Sequence, residues 1–301
     1  MSPESGTVPG RDMRAAWKDV EPERDVNPER GGGKPERRVR PVLRWVSIGV
    51  LLGVPTVLAL AGPLLAGEPS PRGVPFGSGS LLGTDFVGRD VGEQVLAGGR
   101  TVVTVALAAT ALAYLVGTPL GMLAAMTRRR WLDELLMRPL DLLLAIPSLL
   151  LLILLAATAP PGPLTLIVIV AVISMPEVAR VSRAAALEVA TRPAMEAMLL
   201  QGETWWRRAV GYVGRSMLRT LLADLGVRVV GALYLVATAS FLGVGVPPDA
   251  TDWAVMVDRN RTGMFLQPWA VVVPALLLVM LSVGLNLLFD GVQRRREEEV
   301  T

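Results

Sequence analysis

The sequence predicts an all-α, polytopic membrane protein with six transmembrane helices, and three observations carry that prediction. Five runs free of any charged residue, 45–67, 101–127, 142–176, 229–248 and 262–289, interrupt the 301-residue chain. Hydrophobic residues make up 51% and charged residues 19%, a balance too apolar for an ordinary soluble domain. Lys and Arg gather in alternate connecting segments, the pattern that membrane topology imposes.

Residues 1–40 are rich in Pro, Gly, Glu and Arg without an apolar period, so they bury too little surface to offset ordering entropy. They read as a disordered cytoplasmic tail. Gly31-Gly32-Gly33-Lys34 is followed by Pro35 and preceded by no apolar strand, which makes it a linker and not a phosphate loop. The run 45–67 has 23 residues, above the ~20 that cross a bilayer core as helix. Its 44 preceding residues carry many acids, unlike the short basic start of a cleaved signal peptide. The 35-residue run 142–176 contains Ala159-Pro160-Pro161-Gly162-Pro163, a turn that one helix cannot absorb, so it predicts a tight hairpin of two spans. The expected spans are 45–65, 101–126, 135–157, 164–182, 224–244 and 268–289. They lie in a membrane domain, 41–293, followed by a charged cytoplasmic tail, 294–301.

Counting Lys and Arg orients these spans. The segment 1–44 has ten, 127–138 four, 180–228 eight and the C-terminal tail three, against three in 63–100, none in 158–163 and two in 245–267. A balance of 25 to 5 places both termini, and the loop after the fourth span, in the cytoplasm.

Within and beside the spans, Gly117 and Gly121 have the G-x-x-x-G spacing of a close helix contact, as do Gly49 and Gly53. Pro119 and Pro147 are expected to kink their helices. Arg138 and Asp141 are spaced to pair along one helix, and Glu177, Arg180 and Arg183 repeat that spacing. In Gly83-Thr84-Asp85 and Gly88-Arg89-Asp90, small residues and short acids favour a rigid extracytoplasmic elbow, with Arg89 able to pair with Asp85 or Asp90.

The segment 184–222 holds the most information. Pro193-Ala194-Met195-Glu196-Ala197-Met198-Leu199-Leu200-Gln201 and Glu203-Thr204-Trp205-Trp206-Arg207-Arg208 are helical in composition on either side of Gly202, where one helix can stop in a left-handed turn and another begin. Two readings fit: an amphipathic helix lying at the lipid headgroups through Trp205, Trp206 and the Arg pair, or a docking element for another protein.

Glu196-Ala197 followed by Gly202 resembles the E-A-x-x-x-x-x-G loop of importer permeases of the ATP-binding cassette (ABC) class. Leu82-Gly83-Thr84-Asp85-Phe86-Val87-Gly88-Arg89-Asp90 is similar to the L-G-T-D-x-x-G-R-D signature of dipeptide, oligopeptide and nickel permeases, in their second, C-type subunit. Met137-Arg138-Pro139-Leu140-Asp141 with Ile146-Pro147-Ser148, and Phe241-Leu242-Gly243-Val244-Gly245-Val246-Pro247-Pro248 with Asp252-Trp253, match that family in order, so the resemblance covers roughly 80–293. The family's Ile-x-x-Pro-Asn ending is replaced by Val213-Gly214-Arg215-Ser216. The resemblance implies a type I ABC importer permease fold in a prokaryotic cytoplasmic membrane. It further implies a coupling loop with Glu196, Ala197, Gly202, Glu203 and Trp206 on the ATPase, and an elbow built by Gly83, Thr84, Asp85, Gly88, Arg89 and Asp90. The implied partners are a homologous second permease subunit, one or two cytoplasmic ABC ATPases that hold ATP and Mg, an extracytoplasmic solute-binding protein and membrane lipid. No nucleic acid, metal or cofactor of the chain's own is expected.

The expected function is therefore half of a peptide pathway driven by a separate motor. With no His and no Cys, and both lysines in the first 40 residues, an intramembrane enzyme lacks its usual nucleophile and base. A self-contained secondary transporter or channel is the alternative.

Overall fold

The computed structural model describes residues 41–66, 70–127, 129–244 and 251–298. The predicted tail 1–40 and the stretch Gly245 to Pro248 lie outside the described residues. Helix α1, Pro41–Leu65, contains the first expected span, 45–65. Helix α2, Val91–Met126, has 36 residues, a length of about 54 Å at 1.5 Å per residue, far beyond the ~30 Å apolar core. It begins ten residues before the expected span because Asp90 caps it, accepting from the Gly92 and Glu93 amides at 2.6 and 3.1 Å.

The expected third span is broken. Helix α3, Arg130–Ala145, and helix α4, Ser148–Thr158, meet at a 95° bend at Ile146 and Pro147. Pro147 has no N–H to continue the ladder, and its carbonyl instead starts α4 by accepting from Leu151 at 3.0 Å. Pro119, by contrast, sits inside α2 without ending it. Helix α5, Pro163–Ala190, starts with proline at its first turn directly after the predicted hairpin turn.

Beyond α5 come the short helix α6, Pro193–Leu200, a π-helical stretch, Arg207–Gly214, and helix α7, Arg215–Phe241. Helix α8, Trp253–Asn260, a 3₁₀ turn, Arg261–Gly263, and helix α9, Trp269–Glu298, complete the order, with α9 running on into the expected tail. Among the described residues five helices are long and apolar enough to cross a membrane, and six spans result when the α3–α4 pair counts as one. The only strand-like feature described is an isolated bridge between Thr84 and Asp90.

The core lies where Val102, Val105 and Ala109 of α2 meet Leu152 of α4, Leu166 and Val170 of α5, and Val236 of α7. Because lipid is as apolar as these side chains, association depends on close packing, and glycine permits it. A methyl on Gly117 would lie 2.9 Å from the Met175 carbonyl oxygen, and one on Gly121 would lie 2.2 Å from that of Ala179. The seam is thus α2 against α5 within the chain. Gly49 and Gly53 share the spacing but meet no atom within 4 Å, so no seam forms there with the described residues.

Three ion pairs among the described residues cross between helices. Arg183 grips Asp133 with two bonds of 2.7 and 2.6 Å, and Arg180 holds Asp141 at 2.7 Å, tying α5 to α3. The expected pair of Arg138 with Asp141 is not the one made: Arg138 bonds Glu134 at 2.7 Å, the acid four residues before it, which is the favoured order along a helix. Glu177 pairs with Arg228 of α7.

Candidate functional site

At the end of the bundle where α5 stops and α7 begins lies α6. Its buried anchor is Met195, packed with Ala186 and Val189 of α5 and Val213, Met217 and Leu221 of the following segment. Glu196 lies in the first turn, where the helix dipole favours an acid, and both Glu196 and Ala197 are exposed. The helix ends as the glycine predicts. Gly202 has φ +70°, its amide donates to Leu199 O at 3.1 Å, and the Glu203 amide donates to Met198 O at 3.0 Å. These two bonds form a Schellman cap, which fixes the turn and satisfies carbonyls at the helix end. Past the turn Glu203 bonds Arg207 at 3.1 Å, and Trp205 and Trp206 pack edge to face with centroids 4.9 Å apart. Leu200 is 89% exposed and Trp206 71%, so an apolar and acidic face points away from the bundle.

The expected loop 184–222 is shorter as a loop than as a sequence segment. Helix α5 continues to Ala190 and the next helical run starts at Trp205, so the connection outside the long helices is residues 191–204.

At the opposite end the predicted elbow is a closed hydrogen-bond net. Gly83 and Gly88 have φ of +73° and +85°. The Thr84 hydroxyl accepts from the Gly77 amide at 2.7 Å and donates to Val74 O at 2.6 Å. Asp85, 1% exposed, accepts from the Val87 and Arg89 amides at 2.9 and 2.8 Å and from Gln94 Nε2 at 2.9 Å. Those bonds occupy its oxygens, and Arg89 contributes its backbone N–H instead of the ion pair expected of its guanidinium. Asp90 is occupied as the α2 cap.

Sequence reading did not foresee what locks this elbow to the distant segment. Asn260 Oδ1 accepts from the Phe86 amide at 3.0 Å, and Gln267 Nε2 donates to Leu82 O at 2.6 Å. Trp253 is wholly buried, and its ring nitrogen donates to Val95 O at 2.8 Å. Asp252 caps α8 through the Ala254 and Val255 amides at 2.9 and 3.3 Å. Burial pushes its pKa up to about 6 even though those amides pull it down. A polar Asp-Trp and a lone Asn are weak signals in sequence, because nothing local says what they will meet.

The fold defines a class: a polytopic helical membrane protein with a short glycine-capped helix at one end and a hydrogen-bonded elbow at the other. The chain belongs to the family described as binding-protein-dependent transport system inner membrane component, which matches residues 117–298. It is 30% identical over 222 residues to the D,D-dipeptide transport system permease protein DdpC of Escherichia coli, covering 74% of each chain. It is 32% identical over 257 residues to a peptide transport system permease protein of Brucella suis, covering 83% of this chain and 86% of that one. The fold is shared with a chain of the MetNI methionine ABC transporter in an inward facing form, with a TM-score of 0.55 and 17% identity over 67% of this chain and 95% of that one. The protein is thus a multi-pass inner membrane permease that works with other components of a transport system and has no catalytic role of its own.

Proposed function

We propose that this chain is one of two homologous permease subunits of an ATP-driven importer of short peptides, with both termini in the cytoplasm. An ABC ATPase, which holds the ATP and Mg, docks on α6, and an extracytoplasmic binding protein delivers solute at the elbow end. The observation that carries the reading is the construction of α6: an exposed Glu196 and Ala197 on a helix closed by Gly202 and anchored through Met195. A push on such a helix travels as a rigid-body displacement into α5 and α7, which Met195 touches through their buried side chains. The distribution of 25 to 5 basic residues supports the orientation, and the peptide cargo named for relatives supports the substrate class.

The test is uptake by the full assembly. Glu196→Lys, or Gly202→Val, which forces a β-branched residue into a left-handed turn, is expected to abolish uptake while membrane insertion and ATPase content are tracked separately. Undiminished uptake in both variants refutes the docking role. Transport by the chain alone in an ion gradient would favour the secondary-transporter reading, and a panel of peptides, metal chelates and sugars assayed for ATPase stimulation identifies the substrate.

A further inference from the structure

A cavity of about 390 Å³ opens where the α3–α4 bend meets α5 and α7. Leu143, Leu151, Ile173 and Leu235 give it apolar walls. Its charged end is formed by Glu177 and Arg228, with Ser148 and Ser174 also on the lining. Apolar walls with a few convergent polar groups, in this size range, are the usual build of a small-molecule site.

The charged end belongs to a triad that reaches behind the wall. Arg228 bonds Asp224 through Nε and Nη2 at 3.0 Å and Glu177 through Nη1, and its side chain is only 16% exposed. Asp224 takes Arg228 and the Tyr114 hydroxyl, which donates at 2.7 Å, and is 14% exposed. Both groups are largely buried and paired with each other. Glu177 is the exception, half exposed and bonded to Arg228 through Oε2. Asp224 lies behind the wall and not on it, so Glu177 and Arg228 are the charged residues of the lining, and the triad they form with Asp224 has two carboxylates to one guanidinium. An apolar cavity whose exposed carboxylate shares its guanidinium with a second, buried acid favours a compact cation attached to an apolar body.

We propose that this cavity is a station on the solute pathway, where Glu177 receives the α-ammonium group of a short peptide and the apolar walls take its side chains. The proposal rests on the peptide-importer reading given above. Arg228 and Asp224 act as positioning residues: held together and to Tyr114, they keep the Glu177 carboxylate turned to the cavity mouth. The peptide makes a charge-assisted hydrogen bond without any covalent step.

The chain contains no cysteine, so Ser174→Cys places a unique thiol on the cavity wall. In proteoliposomes of the full importer with cysteine-free partner subunits, its labelling by a small maleimide is followed during turnover with and without Ala-Ala. Ala-Ala is expected to slow labelling about 10-fold, and Glu177→Gln in the same chain to remove most of that protection, the scale of one charge-assisted contact. Ser148→Cys provides a second reporter if Ser174→Cys assembles poorly. Unslowed labelling while Ala-Ala uptake persists, or equal protection with and without Glu177, overturns the site but leaves the importer reading standing. Absence of Ala-Ala uptake by the parent assembly overturns the peptide reading itself and the site with it.

Discussion

Replacing Gly121 with alanine tests the α2–α5 seam most directly. The added methyl would lie 2.2 Å from the Ala179 carbonyl oxygen and 2.8 Å from the Arg183 amide nitrogen, where ordinary contact begins at 3.4 Å. The shortfall of 1.2 Å (3.4 − 2.2) is against backbone, so no side chain can turn aside and α5 must move as a unit. The shift would also strain the Arg183–Asp133 and Arg180–Asp141 pairs on the same stretch of helix. Overpacking of this kind costs about 1–3 kcal/mol, against which alanine returns up to ~1 kcal/mol of helix propensity. Gly49→Ala is the matched control, since a methyl there meets nothing within 4 Å and only the propensity gain remains. The propensity gain is common to both, so the two variants should differ by the overpacking cost, about 1–3 kcal/mol, or roughly 2–12 °C in melting temperature. Tryptophan fluorescence during heating of detergent-solubilised protein at one scan rate measures it. If Gly121→Ala melts with Gly49→Ala, the close seam does not exist.

Two further outcomes follow from the elbow end. Asp252 has a folded pKa of about 6, above the 3.8 of the unfolded chain, so the folded state binds the extra proton between those values. Its contribution to stability therefore falls as pH rises from about 4 to about 6, by at most roughly 3 kcal/mol, and stays low above that. Asp252→Asn keeps the cap and should flatten this part of the melting-temperature profile; parallel curves for the two proteins would count against it. Asp85→Ala leaves the Val87 and Arg89 amides and the Gln94 side chain without their shared acceptor, so a loss of about 2–4 kcal/mol and faster amide exchange at residues 84–90 are expected. Unchanged exchange would show that the net is held by other contacts.

How far the site was legible depends on how local its causes are. The Gly202 turn could be read directly, because a left-handed cap depends on one residue's backbone and the composition on either side. The elbow was half legible: Thr84, Asp85 and Asp90 bond within a few residues, whereas Asn260, Gln267 and Trp253 close it from more than 150 residues away. Arg89 was assigned an ion pair on charge alone, and backbone amides claimed the acids first. The α3–α4 break was signalled by Pro147, but a 95° bend as opposed to a gentle kink follows from what the two pieces pack against.

The sequence by itself determined the helical membrane class, the family signature and the glycine cap that ends α6, since charge-free length, motif spacing and φ > 0 are properties of the chain taken a few residues at a time. Only the tertiary structure decided that Gly117 and Gly121 form a seam while Gly49 and Gly53 do not, and that Arg180 and Arg183 reach across to α3. It also decided that Glu177 lines a cavity and meets Arg228 of α7 there. The physical reason is the same in each case: spacing says which groups share a helix face, and packing alone says what that face meets.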